Sequence, residues 1–262
     1  MISIEYIKNF FPPALRDNAL LGKHLLKEYI QLMIMDYLAS TPYIRKLTFI
    51  GGTCIRLTKG IDRFSEDLDF DIKLLSQEEF IKMTDDIIKF LNKNGLHAIA
   101  KDNWNPKLKA FRRNIHFPEL LFKVGLSGHR DERFLIKIES QDQLIQYPSD
   151  LVSIKGGGYF FPVPVPSDAV LCAMKVSAML DRKKGRDFYD AMFLLAQTLP
   201  DFGFLEKKTG ITNLEMLKVQ AAVVIQSVDI KNKMKDFEHL LFNKDNCKRV
   251  LYVADFFAGL RT

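Results

Sequence analysis

Apolar side chains recur near helical spacing over residues 14–39, at Leu15, Leu20, Leu21, Leu25, Leu26, Ile30, Met33, Ile34, Tyr37 and Leu38. This pattern predicts one or two helices after Pro12-Pro13. Lys46–Ile50 is a short β-like run that ends at Gly51-Gly52, and Leu68–Ile72 reads as a second strand. Ser76 with Glu79 three residues on forms a capping box for a helix bearing Phe80, Ile87 and Leu91. That helix should close near Asn94-Gly95, where Gly can take the left-handed conformation. From 96 to 165 the texture changes to short strands and turns, with strands predicted at 97–101, 110–117, 120–126, 134–140 and 158–163. Phe161-Pro162-Val163-Pro164-Val165-Pro166 cannot be helical and suits a central strand poorly, so it marks a seam. After Ser167-Asp168 helical patterning runs to the C-terminus. The expected fold is α/β (α+β): a mixed-sheet domain with N-terminal helices over residues 1–165, then a helical domain over 166–262.

Composition narrows the class only a little. In 262 residues, 47% are hydrophobic and 27% charged, which is ordinary for a globular protein. No apolar run reaches the roughly 20 residues of a membrane-spanning helix, and the N-terminus lacks a secretory pattern. Cys54, Cys172 and Cys247 are few, odd in number and widely separated, which argues against a disulfide framework and for a reducing cytoplasm. Net charge is +6. Its distribution is uneven: between Lys101 and Lys137 nine basic residues stand against four acidic ones, including Lys107, Lys109, Arg112, Arg113 and Lys123. Such a segment is either a solvated surface or a footprint for a polyanion.

The chemistry concentrates in two blocks. In Arg63-Phe64-Ser65-Glu66-Asp67-Leu68-Asp69-Phe70-Asp71, strand alternation puts Asp67, Asp69 and Asp71 on one face and Leu68, Phe70 and Ile72 on the other. Like charges one pleat apart repel unless water or a cation neutralises them, and two such carboxylates are placed to grip Mg²⁺ or Mn²⁺. Alone, an Asp-x-Asp is more often a solvated edge strand. Upstream, however, a strand runs into Gly51-Gly52-Thr53, where backbone N–H groups and a helix starting at Thr53 can approach a phosphate. The second block is Lys175 through Arg182 to Arg186-Asp187-x-x-Asp190. Lys175 and Arg182 share a helical face, and Arg186 is spaced to pair with Asp190. Without other information, this block is as readily a salt-bridge lattice.

Together these motifs resemble the AbiEii/AbiGii-type nucleotidyltransferases of the DNA polymerase β-like superfamily. The matching residues are Gly51-Gly52-Thr53, Gly60, Arg63, Ser65, Asp67 and Asp69, followed by the Lys175…Arg182…Arg186-Asp187-x-x-Asp190 block. The resemblance covers roughly residues 45–200. It implies transfer of a nucleoside monophosphate from a nucleoside triphosphate, with two metal ions held by Asp67, Asp69 and a third carboxylate. Glu139, on the same face as Lys137 in the strand before Ser140, is the candidate for that third ligand. Gly51, Gly52, Thr53, Arg63, Ser65, Lys175, Arg182 and Arg186 are the implied nucleotide contacts. Lys175 would meet triphosphate oxygens, and Asp187 or Asp190 would orient a cation or the nucleotide.

The same resemblance implies the toxin half of a bacterial toxin–antitoxin or phage-defence pair, with a cognate antitoxin and an RNA acceptor such as a tRNA 3′ end. A small-molecule nucleotidyltransferase would want an acidic acceptor pocket, against which the basic 101–137 segment speaks. A non-catalytic nucleotide-binding regulator is the alternative of another class, and the intact acids and Lys175 speak against it. No stable cofactor beyond the metal, and no membrane, is expected.

Overall fold

A computed structural model describes residues 2–101 and 110–261. Lys107 and Lys109 of the basic segment lie outside them. Helices α1 (Ile4–Lys8), α2 (Pro13–Arg16) and α3 (Gly22–Ala39) precede strand β1 (Leu47–Ile50), helix α4 (Gly51–Lys59), strand β2 (Asp67–Ile72) and helix α5 (Gln77–Lys93). Next come β3 (Ile99–Ala100), β4 (Phe111–His116), the short α6 (Leu120–Lys123), β5 (Leu135–Gln141), β6 (Ser149–Gly156) and β7 (Tyr159–Pro166). Helices α7 (Asp168–Arg182), α8 (Gly185–Leu195), α9 (Phe202–Thr209), α10 (Leu214–Gln226), α11 (Ile230–Lys235) and α12 (Val253–Ala258) complete the chain.

The residues cluster into two compact units. The first comprises Met1–Gly60, Phe64–Leu144 and Asp150–Val165; the second comprises Ile61–Arg63, Ile145–Ser149 and Pro166–Thr262. Two short segments, 61–63 and 145–149, therefore fall with the helical unit rather than with the sheet, unlike a single cut at 165/166. In the first unit five strands form one mixed sheet in the order β1-β2-β5-β4-β3, where β2 and β5 are parallel and the other pairs antiparallel. One sheet face is apolar, with Leu68, Phe70, Ile136 and Ile138 fully buried. Helix α5 packs on β4, and α3 packs on α5. Because α3 is buried nearly all round, its polar groups are paired: Glu28 takes Arg56 Nε at 2.8 Å and Nη2 at 3.0 Å, and Gln31 donates to the Ser65 carbonyl at 3.2 Å.

Several expectations are corrected. Residues 120–126 contain a helical turn rather than a strand: Glu119 takes a left-handed φ of 56°, Lys123 N–H reaches the Glu119 carbonyl at 2.9 Å, and adjacent Leu120 and Leu121 are both buried. Helix α4 starts at Gly51, two residues before Thr53. The strand expected at 158–163 is present as β7, three residues longer at its C-terminal end and paired with the unforeseen β6 in a separate two-stranded ribbon. There Pro162, Pro164 and Pro166 need supply no central ladder bonds. The Ser76–Glu79 capping box and the left-handed Gly95, at φ 80°, are both present.

In the second unit α7 is capped by Ser167 and packs on α8 and α9, burying Val176, Met179, Phe188, Leu194 and Leu205. Losing the α5 cap by Ser76→Ala should lower stability by about 1 kcal/mol. Urea denaturation of wild type and variant, compared at equal slope, measures that difference.

Candidate active site

Geometry brings the predicted acids of β2 next to the turn after β1. Ile50 lies opposite Asp69 in the β1–β2 ladder, and the chain turns into α4 immediately after it. Gly51 takes φ +82°, and a side chain there would place its Cβ 2.8 Å from the Cβ and Cγ of Asp69. Only glycine allows the backbone to pass so close to that carboxylate. No side chain caps the start of α4, so the first N–H groups of the helix are left without an intrahelical or side-chain partner, the arrangement that suits an anion. Thr53 is buried and its hydroxyl donates to the Asp67 carbonyl, which ties the helix to the start of β2. Its side chain is therefore committed, and only its backbone N–H faces the phosphate role expected of it.

Asp67 and Asp69 are half-buried on the polar face of β2. Asp71, two residues further, is 2% exposed and accepts the Gln143 N–H at 2.8 Å, so it anchors a loop. Parallel pairing sets Glu139 beside Asp69 and Lys137 beside Asp67. Glu139 is thus on the expected face, but it is engaged: Arg112 Nε bonds its carboxylate, and Lys137 Nζ lies 3.6 Å from it and 3.0 Å from Asp67. Among the described residues, no group of three or more His, Cys, Asp or Glu is arranged to hold a metal ion. Asp67 and Asp69 alone suit a cation that completes its shell with phosphates and water. Glu139 stands beside them on the same face, ion-paired to Arg112 and Lys137 as Asp67 is to Lys137. Ser65 precedes the strand, which begins at Asp67, so its hydroxyl is not placed by the alternation of β2.

The second block builds a different structure within the helical unit. Arg63 is 1% exposed and grips Asp190 through Nε–Oδ1 and Nη2–Oδ2 bonds of 2.6 Å each. Lys175 Nζ adds a contact to Asp190 Oδ2 at 2.9 Å. Burial pushes the Asp190 carboxyl up, but the charges of Arg63 and Lys175 outweigh it and hold the group down to about 2. Arg63 is therefore not a nucleotide contact: a buried guanidinium bonded twice to one carboxylate cannot also reach a phosphate. Asp190 likewise has both oxygens taken, so it positions Lys175 rather than binding a cation. Nor does it pair with Arg186, because it sits on the buried face of α8. Asp187 is also fully buried. Its Oδ1 accepts from Arg182 at 2.5 Å, and its Oδ2 has no hydrogen-bond partner among the described residues.

Residues that sequence reasoning missed brace this cluster. Asp62, next to Arg63, accepts Tyr189 Oη at 2.6 Å and Asn246 Nδ2 at 2.5 Å, with Arg249 Nη1 at 3.5 Å. The Asp62 carbonyl takes the Phe242 N–H at 3.1 Å, and Arg63 bridges to Leu241. The segment after 236 thus holds the chain that delivers Arg63. Lys137 had a signal, one pleat before Glu139 on its strand; the Asp62 brace, spanning more than a hundred residues, had none.

A family profile described as the nucleotidyl transferase AbiEii toxin of a type IV toxin–antitoxin system matches residues 34–220, well over half the chain. The chain belongs to the AbiEii nucleotidyltransferase toxin family. AbiEii membership makes it a transferase of the nucleotidyltransferase type. Solved structures share the fold. MenT4, a nucleotidyltransferase toxin from Mycobacterium tuberculosis, superposes with a TM-score of 0.62 at 17% identity, over 100% of this chain and 91% of that one. JHP933 from Helicobacter pylori gives 0.53 at 20% identity, covering 90% of each chain. A putative nucleotidyltransferase from H. pylori gives 0.51 at 20%, over 88% of this chain and 92% of that one. No curated protein matches the sequence. Among the described residues, no helix of this AbiEii protein is long and apolar enough to cross a membrane.

Two consequences can be measured. Gly51→Ala forces a left-handed alanine against Asp69 and should cost about 1–2 kcal/mol of stability, read by urea denaturation. Asp190→Asn strips the buried Arg63 of its counter-charge and should cost about 3–5 kcal/mol, read as a large fall in melting temperature. Because the Asp190 carboxyl is depressed on folding, its contribution is complete above the unfolded carboxyl value of 3.8 and is lost as pH falls toward about 2. The difference between wild type and Asp190→Asn should therefore stay constant from neutral pH to about pH 4 and shrink below it.

Proposed function

We propose that this AbiEii protein transfers a nucleoside monophosphate from a nucleoside triphosphate to an RNA acceptor, as the toxin of a pair with a cognate antitoxin. The observation that carries the reading is the approach of the Gly51 backbone to Asp69 at the uncapped start of α4. It sets anion-binding N–H groups beside two carboxylates that fit a divalent cation. Asp67 and Asp69 would hold Mg²⁺ or Mn²⁺, which neutralises phosphate charge when bound. The N–H groups of Gly51, Gly52 and Thr53 serve the triphosphate tail. Lys175, its Nζ held by Asp190, offers a fixed positive charge to the departing pyrophosphate. An acceptor hydroxyl oxygen attacks the α-phosphorus; the new P–O bond forms as the bond to the β-phosphate breaks, and the hydroxyl proton passes to solvent. Asp187, with one buried oxygen free of hydrogen bonds, and Arg182 orient the start of α8.

The test is purified protein incubated with each labelled nucleoside triphosphate and total RNA. Label should enter RNA with stoichiometric pyrophosphate release. Asp69→Asn should abolish both while melting close to wild type; transfer at the wild-type rate would remove Asp69 from the metal site, and no label in RNA from any triphosphate would overturn the reading. Lys175→Ala should lower kcat/KM by about 30- to 1000-fold, on the order of 2–4 kcal/mol. Full turnover with a lowered melting temperature would make Lys175 purely structural.

A further inference from the structure

The basic segment 101–137 was the sequence's candidate for an acceptor surface, but its described side chains are largely spent on acids of their own unit. Arg112 is bonded to Glu139 and Arg113 to Asp85. Lys123 lies 3.0 Å from Glu119, Arg130 3.9 Å from the same carboxylate, and Lys137 beside Asp67. A different cluster, in the helical unit, is not spent in this way. The loop Lys183-Lys184 joins α7 to α8, whose first residues are Gly185 and Arg186, and α11 carries Lys231, Lys233 and Lys235.

The structure presses these two elements together. A Cβ on Gly185 would lie 2.7 Å from the carbonyl carbon of Lys233, so this position must be glycine for the loop to sit on α11. Gly185 N–H donates to Asp236 Oδ2 at 3.1 Å, and Lys183 Nζ reaches Ser227 Oγ at 3.1 Å. The nearby acids answer to other donors. Asp229 accepts the N–H groups of Lys231 and Asn232 and the Asn232 amide, Asp236 accepts Gly185, and Asp187 accepts Arg182. Among the described residues, Lys184, Arg186, Lys231, Lys233 and Lys235 have no ion-pair partner.

We infer that this loop and α11 form the surface that receives the phosphodiester backbone of the acceptor RNA. The inference rests on the reading of the protein as an RNA-directed nucleotidyltransferase. Cations without ion-pair partners on two abutting elements suit a chain of phosphates, whose condensed counterions they release. A membrane surface fits less well, because Ile230 and Met234, the apolar residues of α11, are half-buried and leave no face to insert.

Fluorescence anisotropy of the full chain with a labelled tRNA-sized RNA, over a range of salt, tests it. The variant K184Q/K231Q/K233Q/K235Q should bind at least tenfold more weakly, and its log–log salt slope should fall by about 3 if each lysine meets a phosphate. Its KM for RNA should rise while KM for the triphosphate stays unchanged. Lys123→Gln with Arg130→Gln should leave RNA binding unaltered. Lys184→Glu alone, a single exposed site, gives the same direction of change should the fourfold variant fold poorly. Unchanged affinity and slope would overturn the surface, as would loss of binding to anionic phospholipid vesicles with RNA binding intact. Asp69→Asn separates the two levels: it should bind RNA as wild type does yet transfer nothing. No transfer by the wild-type protein would sink the enzymatic reading and leave the binding result to be judged by itself.

Discussion

A guanidinium taken wholly out of water is stable only beside a carboxylate, and the helical unit is organised around that requirement at Arg63. Two bonds of 2.6 Å to Asp190 supply the counter-charge, and a third contact, from Lys175, shares the same carboxylate. Each partner comes from a separate stretch of chain. Arg63 arrives on a three-residue segment, Asp190 stands on the inner face of α8, and Lys175 on α7. With two cations on one anion, the cluster carries a net positive charge. That charge has a reason to be retained if the lysine meets a polyanion, since a cation held by its counter-charge does not need reorienting when the substrate binds. Everything that fixes Arg63 therefore bears on Lys175. Asp62, Tyr189 and Asn246 extend the fixation to the segment beyond residue 236, and burial followed by the Asp62 contact raises the Tyr189 hydroxyl, so it stays a donor at neutral pH.

The sheet face of the first unit faces the opposite problem, an excess of negative charge. Asp67, Asp69, Asp71 and Glu139 all lie on it. The protein resolves the excess unevenly. Asp71 is given a backbone amide, Glu139 two cationic side chains, and Asp67 a share of Lys137. Asp69 instead has the Gly51 backbone against it, where a side chain would not fit. The uneven treatment ties Asp71, Glu139 and Asp67 to named partners and sets Asp69 against the turn into α4.

Local signals were legible in the sequence and long-range partners were not. Alternation located β2 and its acidic face, the Ser76–Glu79 spacing located the start of α5, and Asn94-Gly95 located its end. These patterns depend on neighbours within a few residues. The Arg63–Asp190 pair spans 127 positions, and no local spacing announces it. Helical spacing instead suggests Arg186 for Asp190, which fails because Asp190 is buried with both oxygens held by Arg63 and Lys175. Leu120-Leu121-Phe122 was misread as strand for a related reason. A short apolar run fits either period, and only the left-handed Glu119 and the burial of adjacent leucines decide for a helical turn.

Basic residues show the same limit in a form that matters for function. Counting them along the chain favours residues 101–137, where they are densest. Density, however, does not measure the charge available to a ligand. A cation already paired with a carboxylate must give up that pair before it can meet a phosphate, and the exchange gains little in high dielectric. Lysines without an ion-pair partner face no such exchange. In the helical unit Asp229 and Asp236 accept N–H groups, and among the described residues the lysines of α11 have no ion-pair partner. The contacts that a polyanion can make thus depend on which cations the fold has already paired, a property that no count of lysines and arginines contains.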